Sequence, residues 1–223
     1  MSSPPILIYE VITVYTKVEI CNMALANYGG SEIVSLTENT EEARVLNLIY
    51  ENCRQAILAK GIWNFATGYT GSLALLDEAE HPTYKYVYAL PSKCLKVLQV
   101  YNSNIDLQFQ QYMPEYEVFN YGSRKALATD IENAKCKYVV DEDNTAIYTP
   151  EFVTCLSYLL SARCVESLTG NAQIVSEMDA KYQVAFQDAL LSNARENKSN
   201  LQYPSSFLDF RNSNGIRKKL RGW

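Results

Sequence analysis

The chain has little of what chemistry at a protein site usually requires. It holds one histidine, His81, so any nucleophile–imidazole arrangement would have to be built on that residue alone. His81 precedes Pro82 in a polar stretch and reads as a surface imidazole rather than a general base. The six cysteines, at 21, 53, 94, 136, 155 and 164, include no C-x-x-C pair and none stands near the histidine. A zinc site needs close-set thiolates or imidazoles, so no metal is expected. No G-x-x-x-x-G-K-[ST] or G-x-G-x-x-G loop is present to cradle phosphate, and no G-x-S-x-G elbow presents a serine, so no cofactor is expected either. Asp141-Glu142-Asp143-Asn144 is acidic enough to suggest calcium. A calcium loop beginning at Asp141 would need glycine at 146 and glutamate at 152, where the chain has Ala146 and Phe152, so the run reads as a solvated turn. Long apolar runs are missing too. The stretch Ile6 to Tyr15 is short, is interrupted by Glu10 and follows no basic region, so neither a membrane span nor a secretory leader is expected.

What the chain does have is tyrosine, 17 of them in 223 residues. Tyrosine pairs a large apolar face with a polar tip at low rotamer cost, which suits both a β-rich core and a surface that meets other proteins. A hydrophobic fraction of 48% and a charged fraction of 20% fit a folded domain. Cys21, Cys53, Cys155 and Cys164 fall within helical patterns, where a free thiol acts as a small hydrophobe; a reduced, cytosolic place of synthesis follows.

Periodicity divides the chain into parts. After an N-terminal extension, 1–15, Thr16-Lys17-Val18-Glu19 forms a capping box, and Val18, Cys21, Leu25 and Tyr28 recur at helical spacing up to Gly29-Gly30. A second helix starts at Asn39 or Thr40, carries Glu41 and Glu42 in its first turn, and presents Leu46, Ile49, Tyr50, Cys53 and Ile57 before Gly61. From 62 to 148 the period shortens to two. Tyr84, Tyr86 and Tyr88 alternate with Lys85 and Val87 until Leu90-Pro91 breaks the run. Further strands are expected at 96–101, 107–112, 137–140 and 145–148, the last two as a hairpin around the acidic turn, all in one small antiparallel sheet. Thr149-Pro150-Glu151 then opens a third helix with Phe152, Leu156, Leu159, Leu160, Cys164 and Leu168. Asn171 opens a fourth with Ile174, Met178, Tyr182, Ala185, Phe186, Ala189 and Leu190.

The pattern predicts an α+β protein: a four-helix bundle from 16–61 and 149–196, with an inserted antiparallel β-sheet at 62–148. Trp63 and Phe65 fall at the junction of bundle and insert, where they are expected to anchor one on the other, with Asn64 satisfying backbone groups as the chain turns.

Residues 197–223 lose all periodicity and form an extended C-terminal arm. They carry six basic residues against one acid, a net of +5, whereas residues 1–196 carry 14 against 24, a net of −10. The arm also holds Tyr203, Phe207, Phe210 and Trp223 beside Arg211, Arg217, Lys218, Lys219 and Arg221. Apolar rings are costly to leave in water, so these nine residues are the expected partner-binding set, docking on an acidic protein surface. Specific DNA recognition is not expected from an acidic body, though acidic walls suit a conduit through which DNA passes without sticking.

Several stretches together resemble the tail tubular protein A family, the head-to-tail adaptors of short-tailed phages: ICNMALANYGG (20–30), EEARVLNLIYENCRQAILAKGIWNFA (41–66), YKYVYALPSKCLKVLQV (84–100), KYVVDEDNTAIYTPEF (137–152) and LTGNAQIVSEMDAKYQVAFQDALLSNA (168–194). The family's motifs fall in order on Asn22/Leu25/Gly29, Ala43-Arg44, Trp63-Asn64-Phe65, Tyr88/Leu90-Pro91 and Pro150/Phe152. No one motif is specific; their order and spacing are. The first 15 residues and the arm lie outside the resemblance. It implies a non-enzymatic virion protein of the neck or tail: a homo-oligomeric ring, typically of twelve copies. Such a ring joins portal protein to tail or tail-ring proteins and passes double-stranded DNA through its channel, away from any membrane. A lower neck or tail ring of the same fold is the alternative. A tail-associated hydrolase is a third, but it needs a carboxylate pair in a groove, and the sequence offers none.

Overall fold

The computed structural model describes residues 14–102 and 114–196; the expected strand at 107–112 and the arm at 197–223 lie outside them. The chain divides into a body, Met1–Asn193, and a C-terminal unit, Ala194–Trp223. Among the described residues the body is α+β, with four helices and two small antiparallel sheets.

Helix α1, Lys17–Ala26, starts where the capping box predicts. The Thr16 side chain accepts from the Glu19 amide and the Glu19 carboxylate accepts from the Thr16 amide. Helix α2, Glu41–Lys60, is capped by Thr40 and keeps its two glutamates at the positive end of the helix dipole. Helix α3, Pro150–Leu168, is capped by Thr149 with proline in its first turn, and helix α4, Ala172–Glu196, takes its first amide bonds from the Asn171 side chain.

α3 is buried on nearly every side, through Phe152, Val153, Cys155, Leu156, Leu159, Leu160, Cys164 and Val165. A helix apolar all round belongs at the centre of a core, and α1 and α2 both pack against it. Small hydroxyls allow the closest approach. Ser161 donates to the Ala24 carbonyl at 2.9 Å, and the Asn27 amide reaches the Ser161 hydroxyl at 3.0 Å. Residues from all four helices meet in one apolar core. Among the described residues, no helix is long and apolar enough to cross a membrane.

The β region differs from the single sheet the periodicity predicts. Strands β1 (Thr67–Tyr69), β7 (Lys135–Val140) and β4 (Cys94–Tyr101) form one sheet in that order; β2 (Ala74–Leu75), β3 (Tyr86–Ala89), β6 (Arg124–Thr129) and β5 (Tyr116–Tyr121) form another. Between them lies a second core of Leu73, Tyr88, Val97, Val100, Leu127 and Cys136. Twisted sheets stack about 10 Å apart by burying alternate residues, and two short sheets face to face bury more than one could. Val139 points the other way, into the helical core, so β7 serves both.

The expected strand at 145–148 is instead a 3-10 turn, Thr145–Ile147, so Asp141–Asn144 does not close a hairpin. The Asn144 side chain accepts from the Ala146 amide, a local bond that competes with strand pairing. β7 finds its partners far away in sequence, in β1 and β4.

β5 and β6 do form a two-residue hairpin, with Tyr121 opposite Arg124. Gly122 has φ +60 there, while Ser123 does not share the left-handed region, as in a turn with glycine at its first central position. Gly122→Val forces a β-branched residue into that conformation and should cost roughly 1–2 kcal/mol. That corresponds to a melting temperature lower by about 2–8 °C; an unchanged thermal melt by circular dichroism would contradict the turn.

Candidate functional site

The place where the helices meet the sheets begins at Gly61. α2 ends there, and a Cβ on Gly61 would lie 2.7 Å from the Trp63 indole, so only glycine lets the ring fold back under the helix end. Trp63 is then 0% exposed, and its Nε1 donates at 3.0 Å to the Ile57 carbonyl, which also accepts the Gly61 amide, so the buried indole N–H is satisfied.

Around Trp63 the rings interlock edge to face. Phe152 lies 5.0 Å from it at 82°, Phe186 lies 6.0 Å away at 76°, and Phe65, half-buried, meets Phe152 at 5.0 Å and Tyr148 at 5.5 Å. Such tilted contacts set the positive edge of one ring on the negative face of the next. They join the exit of α2, the first turn of α3 and the middle of α4.

Asn64 completes the turn with a partner that sequence reasoning missed. Its backbone amide donates to the Asn193 Oδ1 at 2.8 Å, its side chain donates to the Asn193 carbonyl at 2.9 Å, and Asn193 Nδ2 returns to the Ile62 carbonyl at 2.8 Å. A signal was available. Asn193 continues the buried stripe Met178, Tyr182, Phe186, Ala189, where a polar residue must find bonds.

The acidic run at 141–144 is a solvated turn only in part: Asp143 stays 60% exposed, while Asp141 turns towards α2. Arg54, whose side chain is 3% exposed, sits in α2 with its Nη2 2.7 Å from both Glu51 and Asp141, its Nε 2.8 Å from Glu51, and its Nη1 2.5 Å from the Glu142 carbonyl. Gln55 donates to Asp141, Tyr148 donates to the Glu142 carbonyl, and Lys17 from α1 reaches Glu51 at 2.7 Å. Burial alone would push the Glu51 carboxyl up, but the bonds from Lys17 and Arg54 outweigh it and hold it below its ordinary value. Burial opposes the Arg54 charge as well; its bonds to Glu51 and Asp141 outweigh that and raise its pKa.

The histidine and most of the thiols are committed to packing. His81 is no surface imidazole. Its side chain is 8% exposed and stacks 5.1 Å from Phe119 and 5.4 Å from Tyr84, while its Nδ1 accepts from the Thr83 and Tyr84 amides and its Nε2 lies 3.5 Å from Glu117. All six thiols are free, and burial pushes them up, Cys21 and Cys155 to about 12 and Cys53 and Cys136 to about 11, which removes the thiolate a nucleophile or soft-metal ligand would need. Among the described residues, no group of three or more histidines, cysteines or carboxylates is placed to hold a metal ion.

Of the sequence-predicted site residues, Trp63 and Phe65 are brought together with Phe152 and Tyr148. Tyr203, Phe207, Phe210, Arg211, Arg217, Lys218, Lys219, Arg221 and Trp223 lie outside the described residues. No protein-family model matches the chain, and no curated protein does.

Trp63→Ala empties the middle of the ring cluster and should cost roughly 3–5 kcal/mol in a urea melt; an unshifted midpoint would mean the cluster does not bear on stability. Because the folded Glu51 pKa is depressed, its contribution is present above the unfolded carboxylate range and is lost as pH falls through the folded value. Stability of the wild type should therefore fall more steeply than that of Glu51→Gln on acidification below about pH 4.5. Parallel curves for the two would show that the clamp carries no linkage.

Proposed function

We propose that this chain is a structural virion protein that assembles into a head-to-tail connector ring between portal and tail, with a central channel for passage of the genome. The observation that carries the reading is the division of charge: a net −10 over 1–196 against +5 over 197–223. A chain that is its own electrostatic complement can join its cationic end to the acidic surface of a neighbouring copy, or to an acidic partner placed next to it. In a ring of identical copies one weak arm contact is repeated many times, so firm attachment needs no tight individual bond.

Two further features support the reading. The ordered motifs from Asn22 to Phe152 resemble those of the tail tubular protein A family. The one imidazole and five of the six thiols are taken up by packing. In this reading the four helices act as one bundle, the two sheets are an insert carried on it through the Trp63–Arg54 junction, and the arm is the element that grips portal or neighbour. Assembly takes place in the host cytoplasm, and the mature location is the neck of the virion.

Deleting residues 197–223 tests the assignment. The connector reading expects purified full-length chain to form rings visible by electron microscopy, alone or with portal, and the truncated chain to lose portal binding. Loss of tail attachment with portal binding intact would favour a lower ring of the same fold. Alanine at Arg217, Lys218, Lys219 and Arg221 together should weaken assembly, and wild-type assembly should weaken with added salt as the charges are screened. Assembly indifferent to both would remove the arm from the mechanism.

A further inference from the structure

Residues 76–85, between β2 and β3, fold back over the second sheet as a strap. That sheet turns one face, through Tyr88 and Leu127, to the core it shares with the first. Side chains alternate along a strand, so Val87, Ala126, Ala128 and Phe119 belong to the other face. Val87, Ala126 and Ala128 are buried there all the same, with Leu76, Ala79 and Tyr84 of the strap packed against them beside Phe119 and Tyr121. The two alanines leave a shallow trough across the sheet, and the strap fills it.

The strap is tied at its start by the Leu76 amide, which donates to the Val87 carbonyl at 2.8 Å, and at its end by the Lys85 amide, which donates to Asp130 at 3.0 Å. Between these ties stands His81, whose Nδ1 accepts from the Thr83 amide at 3.3 Å and the Tyr84 amide at 3.4 Å. Accepting from amides just ahead in the chain is the task an asparagine oxygen performs in an Asx turn. An imidazole nitrogen differs from that oxygen in one respect: it can take a proton. Nδ1 accepts only while it bears no hydrogen, so the ring carries its hydrogen on Nε2, 3.5 Å from Glu117 of β5. Protonation puts a hydrogen on Nδ1 as well, and both amides lose their acceptor at once.

Tyr84 and Phe119 stack on the ring, and carboxylates lie on both sides of it. Glu117 faces it from β5, and Asp77, Glu78 and Glu80 belong to the strap itself. Against them stand Lys85 in the strap and Arg124 on the same face of β6, while β3 turns only Val87 and Ala89 to this side. An imidazolium that gives up the turn therefore has a counter-charge at hand. We propose that His81 is a proton-operated latch on the strap. With Nδ1 free of hydrogen it closes the turn at 81–84 over the outer face of the second sheet. With Nδ1 protonated it changes partners to Glu117, and the turn opens above Val87 and the two alanines. The latch lies within a single copy of the chain and does not rest on the ring reading.

Hydrogen exchange of the full chain gives the test. The Thr83 and Tyr84 amides, scaled to their intrinsic rates and to the amides of α3, should exchange roughly tenfold faster at about pH 5 than at about pH 7.5. His81→Asn keeps an acceptor in place that takes no proton in this range, so its ratio should stay flat. His81→Phe keeps a stacked ring without the acceptor, and its fast exchange should already be present at the higher pH. Wild-type protection unchanged across the range would overturn the proposal. So would a His81→Asn variant that loses protection as the wild type does, because acid would then be acting somewhere other than Nδ1.

Discussion

A guanidinium cut off from water fixes how the helices of this protein meet its sheets. Arg54 projects from α2 into a space where a cation can persist only if every side of it is answered. Glu51 answers from the same helix, Asp141 and the Glu142 carbonyl from the end of β7. Removing one partner of such a set leaves a buried charge uncompensated, which is far costlier than never having placed it there. The geometry is therefore specified as well as stabilised: α2 can dock on β7 only in the register that brings 141 and 142 to Arg54. Lys17 extends the same constraint to α1.

The aromatic cluster supplies the apolar counterpart. Trp63, Phe65, Tyr148, Phe152 and Phe186 come from an exit turn, a 3-10 turn and two helices, and their edge-to-face contacts are directional in a way aliphatic packing is not. With the polar clamp on one side and the rings on the other, the junction resists both sliding and rotation of the sheets against the helices.

Much of this was legible in the sequence, and what was not had physical reasons. The helices were announced by their caps at Thr16, Thr40, Thr149 and Asn171, because an unsatisfied amide at a helix start demands a particular side chain at a particular place. The role of Trp63 could be expected from an aromatic behind a helix-ending glycine. The strand at 145–148 was misread because β-branched and aromatic residues suit a strand only if a ladder is within reach, and Asn144 captured the backbone first. His81 was misread because nothing local reveals that Phe119, 38 positions away, will cover it. Asp141 reads as a solvated acid until Arg54 is known to lie opposite. Long-range partners leave no mark in a local window, and both the acidic run and Asn193 owe their places to such partners.

The bonds between Asn64 and Asn193 span 129 positions of the chain. A ribosome delivers residues in order, so Trp63 emerges long before Phe152 and Phe186 exist to enclose it. Until α4 is out, the nascent chain carries an indole that Phe186 cannot yet cover, and native closure at this point awaits contacts far along the chain. Closure of the α2 exit turn is in that sense provisional until both asparagines are present.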